Sequence, residues 1–300
     1  MNNRTYASPL AFKNGLEQRL RNLGSSLVRE RQLLIFERYL ARLIITFGGS
    51  IMLKGGLALE LRLDKSQSTK DIDLRLQGSS VDLLERLQRA GRIDLQDFMT
   101  FEVRPDDDHP RIGNDGMKYE GFRFRAECAL AGKLYGNPFG VDVAFGDPIT
   151  GHIENLRGKD TLGFAGVLPP TIPAYPVETH IAEKLHAYTL VMPPGRTNTR
   201  VKDLPDLALL ASAGALESAV LRAALKTTFA FRNTHALPSK FPTPPITWGA
   251  QYANLAREFD LPWPSIVSVT EAVRAFLDPI LAGVLKSVWD PNLWQWRAHH

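Results

Sequence analysis

The sequence predicts an α/β (α+β) protein in which N-terminal helices and a mainly helical C-terminal domain flank a core built on a mixed sheet. Residues 12–46 place apolar side chains at three- and four-residue spacings, as an amphipathic helix does. From there to about residue 150, short segments alternate apolar and polar residues, as half-buried strands do. Helical spacing returns after a proline-rich segment, so we expect helices to dominate the last part of the chain.

The composition is that of an ordinary globular protein. Its 300 residues are 44% hydrophobic and 23% charged, and a net charge of +4 with a pI near 9.2 favours polyanionic partners only weakly. Cys128 is the single cysteine, so no internal disulfide can form, and we expect a buried, inert thiol in a reducing cytoplasm. The apolar runs are too short to span a bilayer and the N-terminus lacks the order of a signal peptide, so we expect no membrane partner.

The core elements follow from local patterns taken in chain order. Gly55 and Gly56 end an apolar run and precede a helix, LALELRL. The strand DIDLRL is followed by a short helix, VDLLERLQRAG, that stops at Gly91. Three further strands, separated by Asp, Gly and Asn residues, are FMTFEVRP, YEGFRFRAECALAG and FGVDVAFGD.

The prolines between residues 169 and 176 predict a stiff connection, because proline cannot continue a helix or a central strand. We therefore divide the chain into residues 1–165, the N-terminal helices plus core, and residues 166–300, a mainly helical domain. Its helices lie in ETHIAEKLHAYTLVM, DLPDLALLASAGALESAVLRAALKTTFAF and SVTEAVRAFLDPILAGVL. We expect the tryptophans to lie in the core or to dock helices rather than to stack on bases; they are Trp248, Trp263, Trp289, Trp294 and Trp296.

Two aspartates in the strand DIDLRL are the first candidates for chemistry. Asp71 and Asp73 are two residues apart, so their side chains share one face of the strand and can bind a hard divalent cation together. Asp142 in the middle of FGVDVAFGD is a candidate third ligand, because an acid in a core strand needs a partner. The alternative is a solvated strand face, which accounts for most short patterns of this kind. Asp147, at the end of that strand, is interpreted as a turn residue.

The glycine pair before LALELRL is a candidate phosphate site, since a helix N-terminus with glycine before it binds anions. Alone it would be interpreted as a tight turn. A glycine pair, a helix and then paired acids is the order of a polymerase-β-like nucleotidyltransferase core. LKGGLALELRL and STKDIDLRL, followed by AEKLHAYTL at residues 182–190 and RVKDLPDLALL at residues 200–210, resemble the AbiEii family of nucleotidyltransferase toxins, including the MenT-type transferases.

The resemblance, which covers roughly residues 47–215, implies a toxin of a toxin–antitoxin system. Such an enzyme transfers a nucleoside monophosphate from an NTP to the 3′ end of tRNA with Mg²⁺ or Mn²⁺, which blocks aminoacylation and translation. It also implies a cognate antitoxin, AbiEi-like or other. Together, the residue patterns and the resemblance assign Asp71, Asp73, Lys184 and Asp206 to catalysis, Asp71, Asp73 and Asp142 to metal, and Lys54, Gly55, Gly56, Thr69, Lys70 and Arg200 to the nucleotide.

Several of these residues also have a plain structural interpretation. A lysine such as Lys184 on an amphipathic helix is usually solvated. Asp203 and Asp206 fit a helix start in which Asp203 is the N-cap and Pro205 lies in the first turn. We keep Asp206 as functional and interpret Asp203 as structural. We interpret His186, on the same helix as the lysine, as a packing residue or a local hydrogen-bond partner.

One position departs from the family pattern. The family usually carries Ser or Thr after the glycine pair, whereas this chain has Leu57, so a phosphate-binding hydroxyl would have to come from Ser68 or Thr69. Thr69 lies two residues before Asp71 and therefore on the same strand face. We hypothesise that its hydroxyl faces the metal site and that modifying it would block the NTP.

The acceptor is less well defined by the sequence than the nucleotide site. The same core serves protein-directed, AMPylation-like transferases, and Leu57 is compatible with a catalytically silent interaction module. If RNA is the acceptor, basic residues near the motifs would bind its phosphates, although such residues are commonly ordinary surface charge. These are Arg62, Lys65, Lys70, Arg75, Arg196, Arg200 and Lys202.

Overall fold

The computed structural model describes residues 6–23, 26–63, 69–112, 121–146, 148–192, 196, 198–284 and 286–298. Its first half mixes helices and strands, in chain order α1 (Pro9–Arg21), α2 (Leu27–Phe47), β1 (Ile51–Lys54), α3 (Gly55–Leu63), β2 (Asp71–Leu76), α4 (Leu83–Gly91), β3 (Met99–Pro105), β4 (Gly121–Leu130), β5 (Lys133–Leu134), β6 (Phe139–Phe145) and β7 (Glu154–Arg157). The second half is mainly helical, with β8 (Thr171–Ala174), α5 (Val177–Tyr188), α6 (Asp203–Ala211), β9 (Leu216–Glu217), α7 (Ser218–Arg232), α8 (Gly249–Glu258), α9 (Ile266–Ala282), β10 (Ser287–Asp290) and β11 (Gln295–Ala298).

A mixed sheet forms the centre of the first half, which confirms the predicted fold class. Within the described residues, eight strands join it in the order β3-β4-β6-β2-β1-β8-β7, with β5 paired to β4. The pairs β2–β6 and β1–β8 are parallel, and the other neighbours are antiparallel. The strands β2 and β6, which carry the candidate aspartates, are therefore direct neighbours in the interior of the sheet.

Helix α2 packs against the sheet and is buried along most of its length, including several charged side chains. Arg42 is fully buried and donates hydrogen bonds to both oxygens of Asp97, at 2.6 and 2.9 Å, and to the Met99 carbonyl at 2.7 Å. Arg38 bonds the same carboxylate at 2.7 Å. Burial alone would raise the pKa of Asp97, but the bonds and charge of Arg42 and then Arg38 hold it below its ordinary value.

The long helix predicted over residues 12–46 is wrong in one respect, because two helices occupy this region. Helix α1 ends at Arg21 and α2 begins at Leu27. The residues between them read NLGSS, and glycine and serine favour turns and caps over helix interiors. The apolar spacing continues in phase across this segment, so periodicity alone did not reveal the break.

The interpretation of the proline-rich segment as a connection outside the sheet is also wrong. It contains β8, whose residues from Thr171 to Ala174 pair with β7, and Ala174 is the register partner of Leu53 in β1. Pro173 is tolerated because the parallel pairing with β1 begins after it, with the Tyr175 amide donating to the Leu53 carbonyl at 2.9 Å. The small sheet of β9, β10 and β11 was not predicted either.

The apolar side chains collect in two cores that share α3. The first core joins α1, α2 and α4 to the large sheet, and the second joins the helices from α5 onwards to β9 and β10. Leu57 and Ala58 belong to the first core and Leu59 to the second, all fully buried. Leu57 therefore has a packing role. The division of the chain at residues 165 and 166 stays a prediction.

Two predictions about individual side chains are confirmed. Cys128 is 1% exposed, and burial raises the pKa of its thiol to about 12, so it is inert at neutral pH. Trp289 and Trp248 are buried in the second core, and the other three tryptophans pack against it. Among the described residues, no helix combines the length and apolarity needed to cross a bilayer.

Replacing Asp97 with alanine is expected to destabilise the protein by about 3–5 kcal/mol, because two buried arginines lose their counter-charge. The free energy of unfolding in urea measures the loss. The matched control is Asp107→Ala, since Asp107 pairs with Arg104 on the surface and exposed pairs contribute little. Equal unfolding midpoints for the two variants would contradict the assignment of Asp97 as the main internal counter-charge.

Candidate active site

The turn from β1 into α3 consists of the glycine pair itself. Gly55 has φ +67°, and a side chain there would overlap the Asp73 carboxylate. A Cβ at Gly56 would lie 2.5 Å from the Thr69 hydroxyl. Glycine is therefore required twice, to let the backbone pass close to Asp73 and Thr69. The backbone amides at this start of α3 lie in the cleft described below, where an anion can bind them.

The three aspartates lie on one face of the sheet centre. In the parallel β2–β6 pair, Asp73 and Asp142 are register partners. Asp71, two residues earlier, accepts a hydrogen bond from the Gly140 amide at 3.0 Å. Their neighbours in β2, such as Ile72, point into the first core, so the alternation predicted from the sequence is present. Asp71 is exposed, whereas Asp73 and Asp142 are half-buried, which differs from a uniformly solvated strand face.

The register places a row of charges across the sheet at the level of Asp73. Arg123 on β4 is the partner of Asp142 and donates two hydrogen bonds to it, at 2.8 and 2.7 Å, while Lys54 on β1 is the partner of Asp73. These bonds raise the pKa of the Arg123 guanidinium. Burial first, and then the charges of Asp142 and Asp71, raise the pKa of Asp73 to about 6, against the opposing effect of Lys54.

Carboxylates crowded in this way fit a divalent cation. The oxygens of Asp71 and Asp73 are the ligand type that Mg²⁺ prefers, and a bound cation would offset both the burial of Asp73 and the negative charges of Asp142 and Asp71 that raise its pKa. Asp142 differs, because Arg123 bonds both of its oxygens. In the part of the chain that the structure describes, no group of three His, Cys, Asp or Glu side chains is arranged to hold a metal ion. The predicted three-aspartate metal set stays a prediction.

Lys184 reaches the same cleft from α5 and is bound by two acids of α6. Its Nζ donates to Asp206 at 2.6 Å and to Asp203 at 3.2 Å. Burial would lower the pKa of Lys184, but Asp206 and then Asp203 raise it, so the side chain is a fixed positive charge. A freely solvated lysine is excluded by this geometry.

The interpretation of Asp203 as an N-cap is wrong. Helix α6 begins at Asp203, the cap position is Lys202, and no side chain caps the helix. The Asp203 carboxylate instead turns to Lys184. Asp203 and Asp206 are one turn apart on α6 and so share a face, a spacing that the sequence did contain. Pro205 lies in the first turn as predicted.

Two further partners were missed by the sequence analysis. Glu183 binds Lys54 at 3.0 Å, and the Lys54 ammonium also lies 5.2 Å from the centre of the Tyr175 ring. Arg123 pairs with Asp142, as described above. The position of Glu183 next to Lys184 in the sequence could have indicated that it lies near the site. Arg123 could also have been indicated, since it alternates with Phe122 and Phe124 and so lies on the opposite face of the strand.

These residues line one cleft with two arms. The first, of about 400 Å³, contains Lys54, Gly55, Arg123, Asp142, His180 and Glu183. The second, of about 650 Å³, contains Thr69, Lys70, Lys202, Asp206, Leu255 and Phe259. Both arms are lined by Gly56, Asp71, Asp73, Lys184, Arg200 and Asp203. The structure thus brings the sequence-predicted nucleotide, metal and catalytic residues into one place.

The remaining candidate residues differ in position and exposure. Lys70, Arg200 and Lys202 are exposed at the second arm. Arg62 is not available to RNA, because it bonds Glu154 at 2.8 Å and the Tyr175 carbonyl at 2.8 Å. Arg75 is half-buried on β2, and Arg196 is exposed and lies outside both arms. Lys65, Ser68 and Asp147 lie outside the described residues.

Thr69 and His186 can be placed directly. Thr69 lines the second arm beside Asp71, with its hydroxyl near Gly56. His186 is buried and bonds Thr234 at 2.8 Å while its ring packs on Phe229, which confirms the packing interpretation. The proposed blocking effect of modifying Thr69 stays a prediction.

A cleft that joins paired acids, a glycine turn and a helix-borne lysine is characteristic of a nucleotidyltransferase. The family model described as "Nucleotidyl transferase AbiEii toxin, Type IV TA system" matches residues 38–298. The chain therefore belongs to the AbiEii family of nucleotidyltransferase toxins, as the resemblance implied. Membership in a toxin–antitoxin family also implies an antitoxin partner.

Among solved structures, the likeness to MenT4 concerns the fold alone. MenT4, a nucleotidyltransferase toxin from Mycobacterium tuberculosis H37Rv, superposes with a TM-score of 0.53 at 15% identity over 96% of this chain and 93% of that chain. JHP933 from Helicobacter pylori gives a TM-score of 0.43 at 15% identity over 85% of this chain and 94% of that chain. No curated protein sequence matches this chain.

Gly55→Ala is expected to reduce pyrophosphate release from NTP and to lower the free energy of unfolding by about 1–3 kcal/mol, the range for a strained backbone conformation. The added methyl overlaps the Asp73 carboxylate at a positive φ. Gly49→Ala is the matched control, because a Cβ there meets nothing within 4 Å. A Gly55→Ala protein as active and stable as Gly49→Ala would contradict the close approach.

Asp73→Asn is expected to raise the free energy of unfolding at pH 8 by about 1–3 kcal/mol and to leave it nearly unchanged at pH 4. The folded-state pKa, about 6, lies above the ordinary value of 3.8, so the wild-type charge lowers stability once pH rises through this range. Thermal unfolding at both pH values measures the difference. The same increment at pH 4 and pH 8 would contradict the raised pKa.

Proposed function

We propose that this protein transfers a nucleoside monophosphate from an NTP to the 3′ end of tRNA in a Mg²⁺-dependent reaction that blocks aminoacylation. The observation that carries the proposal is the convergence of Asp71, Asp73, the glycine pair and Lys184 in one cleft. We further propose that it acts in the cytoplasm, where tRNA and NTPs occur together, and that its antitoxin is AbiEi-like or of another type.

The nucleotide is assigned to the junction of the two arms. The amides at the start of α3 suit its phosphates, because they combine N–H donors with the positive end of a helix. Asp71 and Asp73 would hold Mg²⁺ or Mn²⁺, which, when bound, neutralises charge on the triphosphate and on the attacking and leaving oxygens. Lys184, fixed by Asp203 and Asp206, places a permanent positive charge beside that triphosphate.

Asp142 and Arg123 are assigned to the acceptor side. Asp142 is the register partner of Asp73, so an acceptor hydroxyl placed near it would lie close to the metal ion that Asp73 would hold. With its oxygens bonded to Arg123, the carboxylate is held ready to orient that hydroxyl. Arg123 is 40% exposed, so its side chain can move aside when a substrate or metal ion enters.

The exposed cations of the second arm favour RNA as the acceptor. Lys70, Arg200 and Lys202 line this arm together with Phe259, and the Lys202 ammonium lies 6.0 Å from the centre of the Phe259 ring. Basic side chains next to an aromatic ring suit a single-stranded nucleic-acid end, since phosphates and bases can both be contacted. The 3′ end of tRNA is single-stranded and has this chemistry.

Incubation of the purified protein with Mg²⁺, total tRNA and each NTP, labelled on the α-phosphate, is expected to label the RNA. Asp71→Ala and Lys184→Met should each lower the rate by about 100-fold or more, the scale for loss of a group that stabilises transition-state charge. Lys226→Ala, which changes an exposed lysine of α7, is the control and should retain full activity.

The acceptor class is decided by treating a labelled lysate with RNase or protease. Label that RNase removes supports tRNA transfer, whereas label that only protease removes would replace it with protein-directed transfer. A protein that binds NTP with Mg²⁺ but labels neither would contradict both, and absence of Mg²⁺-dependent NTP binding would indicate a silent interaction module.

A further inference from the structure

His180 is a buried polar residue that the proposed reaction has not yet used. It lies in α5 and is 2% exposed. Neither ring nitrogen, Nδ1 or Nε2, has a hydrogen-bond partner among the described residues. Buried side-chain nitrogens in folded proteins are almost always hydrogen-bonded, so an imidazole with two unpartnered nitrogens calls for a ligand or an equivalent partner.

The unpartnered imidazole of His180 lies at the cleft described above. His180 lines the first arm together with Lys54, Gly55, Gly56 and Lys184. It precedes Lys184 by four residues in α5, and residues with this spacing lie on the same face of a helix. The side chain therefore belongs to the surface that carries Lys184, on the arm that contains the glycine pair.

The charges around His180 indicate what kind of group it can bind. Burial first, and then the charges of Lys184, Arg62 and Lys54, hold the pKa of its imidazole well below the ordinary value. The ring is therefore neutral, with one N–H donor and one acceptor nitrogen. An N–H donor influenced by Lys184, Arg62 and Lys54, each of which is also paired with an acid, suits an oxygen of an anion better than a cationic or apolar group.

We propose that His180 donates a hydrogen bond to a phosphate oxygen of the NTP, beside the amides of Gly55 and Gly56. This inference rests on the proposed use of an NTP and adds a nucleotide-binding residue that the sequence motifs did not indicate. His180 acts in binding and positioning of the triphosphate. Its removal is expected to raise KM for NTP about 10- to 100-fold, the range for a hydrogen bond to a charged group, with a smaller effect on kcat.

His180→Leu tests the role without loss of volume. A leucine fills a similar space and removes two unpartnered polar atoms from the interior, so the melting temperature of the nucleotide-free protein should not fall. If His180 had a purely structural role, its replacement by leucine would lower the melting temperature and leave KM for NTP unchanged. His180→Gln, which keeps an N–H donor, should recover part of the affinity.

The matched control is Ser287→Ala. Ser287 lies in β10, outside both arms of the cleft, and its buried hydroxyl likewise has no partner among the described residues. Replacing it removes an unpartnered polar atom from the second half of the chain without touching the cleft. Ser287→Ala should therefore change stability at most and leave ligand binding and KM at wild-type values.

Calorimetric titration with inorganic tripolyphosphate and Mg²⁺ is the deciding experiment, because this probe carries the phosphates without base or ribose. Wild-type and Ser287→Ala proteins should bind it equally, and His180→Leu at least 10-fold more weakly. If wild type and His180→Leu bind it equally, the inference is overturned and the proposed function stands. If His180→Leu instead loses affinity only for the unphosphorylated nucleoside, the phosphate contact is overturned. If wild type binds neither tripolyphosphate nor NTP, the proposed function itself fails.

Discussion

Repulsion among three carboxylates on one face of the sheet is the constraint on which the rest of the site depends. The register of β2 and β6 brings Asp73 beside Asp142, with Asp71 close by, and this register cannot slip by one residue without turning Ile72 out of the core. Crowding of this kind is tolerated only where opposite charge is near. Lys54 and Arg123 provide that charge from the two flanking strands.

The same balance of charge extends from the sheet into the second half of the chain. Lys54 is bound by Glu183 of α5, and Lys184 of the same helix is bound by two acids of α6. Negative and positive groups thus alternate from the sheet across the cleft to the helices. Because the interactions are partly buried, water screens them only weakly.

The sequence predicts those features of the site that depend on residues close to one another along the chain. The alternation in DIDLRL places Asp71 and Asp73 on one face, and the glycine pair predicts a close backbone approach, because both follow from local geometry. The pairing of Arg123 with Asp142 depends on which strand lies next to β6, and strand order is set by tertiary contacts. The sequence predicts Asp203 as a helix cap because aspartate serves both as a cap and as an ion-pair partner. Only the position of Lys184 shows which of these two roles Asp203 has.

The errors in secondary structure have similar physical origins. Apolar spacing continues across NLGSS and so conceals the end of α1. The rule that proline cannot continue a central strand holds only where the strand needs the amide that proline lacks, and Pro173 in β8 is not at such a position. The strand β9 pairs with β10 over a long sequence distance, beyond the reach of local patterns, although β10 and β11 form a local hairpin. Pairing of this kind is decided by the completed core.

Helix α3 has one more consequence, which concerns how the chain becomes active during synthesis. Its side chains are anchored in both cores, Leu57 in one and Leu59 in the other, so the glycine turn at its start has its final shape only in a chain in which both cores are formed. A nascent or partly folded chain consequently lacks a working cleft. For a toxin, we therefore expect activity to appear only once both cores have formed.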